Sequence, residues 1–236
     1  MGEGAAEVDD MSGSRAAIFD LDGTLADSLA DIAAALNGAL VEAEIAPFDL
    51  AAVKSMVGAG ARTLVAQALA ARGAGADAKR VDAMQARFVV HYEAHPSVHT
   101  QLYPGALAAL EALRAQGWRL GVCTNKPEGL AKLVLDELGV AGLFGSVVGG
   151  RAGVALKPAA DMVALVLVEL GVEAKAAVMV GDSHADVAAA HAAGVPVILM
   201  AHGYCDGPVD ALGADTVVEG FAGLAAAIGE LSLRIA

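Results

Sequence analysis

Two aspartates one residue apart, Asp20 and Asp22 in the run FDLDGTLADS from Phe19 to Ser28, are the first residues of this chain whose spacing suggests chemistry. They close a short apolar run, AAIFD from Ala16, of the kind that forms a buried strand. In open α/β sheets ligands collect beyond the carboxyl ends of such strands. Carboxylates this close repel each other unless a cation lies between them or one of them holds a proton. Phosphoryl transfer can use both outcomes: one carboxylate attacks phosphorus while a metal shields it, and the other protonates the leaving oxygen. Taken alone, the same residues also read as an Asp-rich turn bending at Gly23.

The pair is not alone. In VMVGDSHADVAAAHAAGV, Asp182 ends a second apolar run and Asp186 falls in the first turn of a helix, where a carboxylate is electrostatically favoured in any case. With Asp20 and the backbone carbonyl of Asp22, Asp182 would complete an oxygen-rich site suited to Mg²⁺. In VCTNKP, Thr124 and Asn125 follow a third run, where a hydroxyl and amide N–H groups can hold phosphoryl oxygens. Lys157, in ALKPAAD, is one candidate for neutralising the transferring phosphoryl group, and Lys126 is its competitor, although Pro127 beside it suggests a helix start. Singly, either lysine reads as a solvated surface residue. Four apolar runs that each end in a phosphate-compatible group give them weight.

The elements that must position these residues are visible as a rhythm. Apolar runs without polar alternation begin at Ala16, Arg119, Gly145, Ala176, Val195 and Asp215, and Ala/Leu-rich stretches of helical spacing follow them. Such runs suit strands covered on both faces, which predicts a doubly wound, Rossmann-like α/β core on a parallel sheet. Between Asp27 and about His99 no strand is evident, so residues 27–99 are expected to be a helical insertion after the first strand. Residues 15–26 and 100–236 would form the core, with Pro104 and Gly105 opening a helix that ends near Gly117. Residues 1–14, acidic and without periodicity, read as a disordered tail.

Composition narrows the function. The chain is 56% hydrophobic but only 4% aromatic, which favours Ala-rich helices over an aromatic-rich β-sandwich. A net charge of −13 argues against a nucleic-acid partner, while leaving room for a small phosphorylated metabolite held by a few local cations. No apolar run is long enough to span a bilayer and the N-terminus is unlike a secretory signal, so no membrane partner and a cytoplasmic location are expected. Cys123 and Cys205 are too few for a disulfide framework. His91, His95 and His99 fall at helical spacing, but Pro96 interrupts them and a structural role is expected.

With FDLDGTLADS, CTN, Lys157 and GDSHAD in that order, the chain resembles the phosphatases of the haloacid dehalogenase superfamily, and within it the bacterial phosphoglycolate phosphatases. The resemblance implies that Asp20 is the nucleophile and Asp22 the general acid and base. It implies Thr124 and Asn125 as phosphoryl holders, Lys157 as charge stabiliser, and Asp20, Asp22 and Asp182 as the Mg²⁺ set. Asp186 and Ser183 would support them from behind. The helical insertion corresponds to a cap that closes over substrate. Its segment VGAGARTLV suggests Gly58 and Gly60 as points of close backbone approach and Arg62 as the partner of a substrate carboxylate, with incidental glycines at a helix start as the alternative. The chain departs from the family at Arg151, where an acid is usual, and at Ala159 and Ala160, where a second proline is usual. The expected reaction is hydrolysis of 2-phosphoglycolate by a monomer or homodimer, with another small phosphorylated metabolite as the alternative substrate. A phosphohexomutase would need the cap to reorient a sugar phosphate, a dehalogenase would not need Asp22 or the metal set, and a receiver-like module would be about half this length.

Overall fold

A computed structural model describes residues 14–205 and 208–235, so all of the expected tail but Ser14 lies outside the described residues. Six strands form one parallel sheet: β1 (Arg15–Phe19), β4 (Trp118–Pro127), β5 (Ser146–Gly150), β6 (Ala177–Gly181), β7 (Val197–Met200) and β8 (Thr216–Val218), in the order β5-β4-β1-β6-β7-β8. All six coincide with the apolar runs of the sequence. Their lack of alternation has a simple cause. In β1, Ala17 and Phe19 pack on one side of the sheet while Ala16 and Ile18 pack on the other, and all four are fully buried. Ile198 and Met200 oppose Val197 and Leu199 in the same way on β7. Helices α5 (Ala106–Ala115), α6 (Glu128–Glu137) and α9 (Phe221–Ile235) cover the first side, and α7 (Asp161–Leu170) and α8 (His184–Ala192) the second.

The chain fills one half of the sheet from β1 through β4 to β5, then crosses to β6, β7 and β8. The strand order therefore reverses at β1, and the carboxyl ends of β1, β4 and β6 meet at the switch point, where helices on opposite faces diverge and leave a crevice. Asp20, Thr124 and Asp182 stand at those three ends.

Between β1 and β4 the chain leaves the sheet and builds α1 (Leu29–Glu42), α2 (Leu50–Lys54), α3 (Ala61–Ala71) and α4 (Ala78–Ala94). Leu36, Leu40, Val65, Leu69, Phe88 and Tyr92 are buried among them. Asp49 and Asp77 cap α2 and α4 by accepting from the N–H groups of Ala52 and Arg80. The outgoing and returning chains pair as a two-stranded antiparallel ribbon, β2 (Ala26–Asp27) with β3 (Gln101–Leu102), too short to leave an alternating pattern in the sequence. Asp31 clamps this junction. Its buried carboxylate accepts from His99 N–H at 2.9 Å, Thr100 N–H at 2.8 Å and the Thr100 hydroxyl at 2.6 Å. Of the histidines with helical spacing, His91 places its buried Nε2 3.0 Å from a Glu42 carboxylate oxygen of α1 without hydrogen-bond geometry, and His99 serves this clamp through its backbone.

Asp31→Ala strands those donors in a buried site, and hydrogen bonds to a charged acceptor contribute about 1.5–3 kcal/mol each. The substitution is expected to lower unfolding free energy in urea by about 3 kcal/mol. A change no larger than that of Glu137→Ala, at an exposed position of α6, would show that the ribbon holds the junction unaided.

Candidate active site

The site is built from strand ends and the turns that follow them. After β1, Leu21 N–H donates to Asp20 Oδ1 at 2.7 Å, and the chain turns at Gly23, whose φ is 85°. A side chain at Gly23 would be strained by that backbone and would also meet the Asp182 carboxylate at 2.5 Å, so glycine is required there twice over. Asp182 is held across this turn: its Oδ1 accepts from the Thr24 hydroxyl at 3.0 Å and its Oδ2 from Tyr204 N–H at 2.7 Å. The Tyr204 hydroxyl in turn accepts from the Ser28 and Leu29 N–H groups at the start of α1 and donates to Asp27.

Asp186 stands at the head of α8 and faces both that helix and Lys157. It makes a capping box with Ser183 at the head of α8, its Oδ2 accepting from the Ser183 hydroxyl at 2.6 Å and from the N–H groups of Ser183 and Asp182. Its Oδ1 accepts from Lys157 Nζ at 2.6 Å. Lys157 also donates to the Cys123 carbonyl at 2.7 Å and forms an ion pair with Asp20, Nζ lying 3.1 Å from Oδ1. Burial opposes its charge, but Asp186 and Asp20 more than offset that and raise its pKa. Asp20 Oδ2 has no hydrogen-bond partner among the described residues and borders the cavity.

Three sequence expectations, for Asn125, Lys126 and Arg62, are changed by this geometry. Asn125 lines the cavity, but its side-chain amide is spent on structure: Oδ1 accepts from Lys157 N–H, and Nδ2 donates to the carbonyls of Lys157 and Gly58, each at 2.9 Å. Thr124 also lines the cavity; its Oγ1 accepts from Lys126 N–H, and its hydroxyl donates to no partner among the described residues. Lys126 is no rival of Lys157 and no surface residue. It is buried, donates to Asp22 Oδ1 at 3.0 Å and to the Tyr92 hydroxyl at 2.7 Å, and has its pKa raised by Asp22 and Tyr92 against the effect of burial. Arg62 lies outside the cavity, half exposed and paired with Asp82 of α4. Gly58 and Gly60 do border the cavity, and a side chain at Gly60, where φ is 86°, would meet the Asn125 carbonyl at 3.1 Å. Arg151 has turned to the surface acids Glu128 and Glu169, away from the cavity. Tyr204, Tyr92 and Thr24 carry no sequence signature of their roles, because each acts through contacts with residues distant along the chain.

Four carboxylates (Asp20, Asp22, Asp182 and Asp186) face two ammonium groups, Lys126 and Lys157, so the cluster is two positive charges short. Oxygens of Asp20, Asp182 and Asp186 lie within 4.8 Å of one another. Burial pushes Asp20 up to about 6 against the pull of Lys157, with Asp186 and Asp22 adding to the rise. It pushes Asp182 up to about 8, with further contributions from Asp186 and Asp20. An all-oxygen donor set lacking two charges fits a divalent cation, and Asp20 and Asp182 are the carboxylates left to hold one, because Asp186 is fully engaged.

The model of the haloacid dehalogenase-like hydrolase family matches residues 17–200. A Rhodospirillum rubrum protein named phosphoglycolate phosphatase is 52% identical over 214 residues, 89% of each chain. One of the same name from Cereibacter sphaeroides is 44% identical over 83% of this chain and 88% of its own. A crystal structure of a predicted phosphoglycolate phosphatase from Haemophilus somnus 129pt superposes with a TM-score of 0.83 at 29% identity, covering 92% of this chain and 99% of that one. Among the described residues no helix is long and apolar enough to cross a membrane.

The folded pKa values of Asp20 and Asp182 both lie above the ordinary 3.8, so the folded protein keeps protons that the unfolded chain releases. In chelator, the resulting stability is complete at low pH and is lost as pH rises through about 6 and then about 8. Thermal unfolding in chelator is therefore expected to shift downward across that window, and an added divalent cation to raise Tm more at its alkaline than at its acid end. An equal gain at every pH would place the cation elsewhere.

Proposed function

The chain belongs to the haloacid dehalogenase-like hydrolase family, and from that premise we propose that it is a Mg²⁺-dependent phosphatase that hydrolyses 2-phosphoglycolate to glycolate and phosphate through an aspartyl-phosphate on Asp20. The observation that carries the reading is the position of Asp20 Oδ2. It is the unpartnered oxygen of a carboxylate whose other oxygen is fixed by Leu21 N–H and Lys157, at a strand end bordering a cavity.

In the first half-reaction Asp20 Oδ2 attacks phosphorus as the ester P–O bond breaks, and Asp22 delivers its proton to the departing glycolate oxygen. In the second, Asp22 takes a proton from water, the water oxygen attacks phosphorus, and the bond to Asp20 breaks to release phosphate. Lys157 holds Asp20 in its attacking orientation and carries charge beside it, while Asp186 anchors Lys157. The Thr124 hydroxyl donates to a phosphoryl oxygen. Mg²⁺, held by Asp20, Asp182 and the Asp22 carbonyl, would shield the attacking carboxylate from the phosphoryl charge. The insertion, residues 27–99, serves as the cap that excludes water. Its wall of the cavity, formed by Ile32, Val57, Gly58, Gly60, Ala61, Leu64 and Phe88, contains no polar side chain. That wall has nothing to pair with the hydroxyls of a sugar phosphate, which favours a short substrate over a phosphohexomutase reaction.

Asp20→Asn replaces the nucleophile with a near-isosteric amide and is expected to abolish phosphate release while leaving thermal unfolding cooperative. Acid quench of wild type with labelled substrate should trap label on Asp20, and label on another residue would refute the mechanism. Asp22→Ala should cost about 10²–10⁴-fold in kcat, and less for an ester whose leaving group needs no proton. Chelator should stop turnover and Mg²⁺ restore it, and a screen of small phosphate esters should rank 2-phosphoglycolate first.

A further inference from the structure

Neither Arg62 nor Lys157 lines the cavity, so the charge of a substrate carboxylate has to be met by something else. Among the described residues that line the cavity, Lys126 is the one cation. Its side chain is 4% exposed, and it is fixed from two directions. Asp22 grips it from the core, with Oδ1 at 3.0 Å and Oδ2 at 3.2 Å. Tyr92 of α4 grips it from the insertion, with the hydroxyl at 2.7 Å and the ring centroid 4.1 Å from Nζ. An ammonium group has three donors, and the longest of the three contacts, 3.2 Å to Asp22 Oδ2, is the one that a substrate oxygen can replace while Asp22 Oδ1 and Tyr92 keep their hold.

Placement decides what that oxygen belongs to. A phosphoryl group over Asp20 sets the ester oxygen beside Asp22, its proton donor. The first carbon beyond the ester oxygen then lies next to the cation that Asp22 holds. A second negative charge on that carbon substituent enters a cavity whose floor is Asp20 and Asp22 and whose opposite wall is Ile32, Val57, Leu64 and Phe88. Neither can accept it, because the floor repels it and the wall leaves it desolvated and unpaired. We propose that Lys126 reads the carboxylate of the substrate, and so sets selectivity for phosphate esters of short acids in which the carboxylate is one carbon from the ester oxygen. Tyr92 acts through it as a positioning residue, aiming the ammonium from the insertion side. The inference rests on phosphoglycolate hydrolysis as the reading of this site.

The test compares 2-phosphoglycolate with 2-hydroxyethyl phosphate, which is equally long but ends in a neutral hydroxymethyl group. Lys126 touches Asp22, so Lys126→Met is expected to slow both esters, and the ratio of the two kcat/KM values is the readout. Wild type should prefer phosphoglycolate, and Lys126→Met should cut that preference by about 10–100-fold, the worth of a charge-assisted contact. Lys126→Arg, which keeps the charge, should retain much of it. Tyr92→Phe should lower it by a smaller factor and chiefly through KM, and this variant carries the test if Lys126→Met fails to fold. Competitive inhibition by inorganic phosphate should be little changed in all three, because phosphate lacks the second anionic group. A wild-type preference that survives both Lys126→Met and Tyr92→Phe would overturn the inference alone and return carboxylate binding to the backbone at the start of α3. A wild type that does not distinguish the two esters would overturn the inference and the substrate reading together.

Discussion

The buried imbalance of charge at the strand ends is the constraint from which the rest of the site follows. Taking a carboxylate out of water is costly unless it is paired and hydrogen-bonded, and here four lie together with two lysines between them. Each carboxylate is therefore fastened by donors the fold supplies: Leu21 N–H for Asp20, the Ser28 hydroxyl for Asp22, Thr24 and the Tyr204 N–H for Asp182, and the head of α8 for Asp186. Those donors fix orientation without cancelling the charge. What remains is a rigid, electron-rich pocket at the sheet's switch point that is stabilised by whatever brings positive charge to it. Such preorganisation costs folding stability and spares the reaction the work of arranging dipoles.

Much of this was legible in the sequence, and the reasons are local. A strand covered on both faces must be apolar at every position, so β1, β6 and β7 announce themselves as unbroken runs. Asp20, Asp22, Asp182 and Asp186 are legible because backbone connectivity alone carries them to the ends of those runs. Residues whose role depends on a partner far along the chain were not legible. Lys126 and Lys157 are equally plausible cations in one dimension, and only the fold shows that one reaches Asp22 and the other Asp20. Asn125 has the composition of a phosphoryl ligand, yet its amide is satisfied by the Lys157 loop and Gly58. Arg62 sits one turn from the cavity, but on α3 its side chain leans toward α4 and finds Asp82. The β2–β3 ribbon is too short for its alternation to register at all.

The relation between insertion and core is written in two neighbouring residues. Asn125 and Lys126 follow Thr124 at the end of β4. The first donates to Gly58 ahead of α3 and the second to Tyr92 on α4. The segment that presents the Thr124 hydroxyl to the cavity is therefore also a segment on which the insertion rests. Close approach here depends on the absence of a side chain at Gly60, which stands against the Asn125 carbonyl.

These contacts differ in what they require. Asp22 and Lys126 both stand at strand ends of the sheet, so their ion pair belongs to the core and needs no helix of the insertion. Tyr92 belongs to α4, so its hold on Lys126 exists only where insertion and core meet. The core therefore fixes the ammonium beside Asp22, and the insertion adds the second constraint that narrows its direction. Tyr204 makes a similar junction on the other side, joining the loop that holds Asp182 to the start of α1. Through these two tyrosines, and through the Ser28 hydroxyl on Asp22, the geometry of the carboxylates and the seating of the insertion are parts of a single hydrogen-bonded system, so loosening either contact loosens the carboxylates with it.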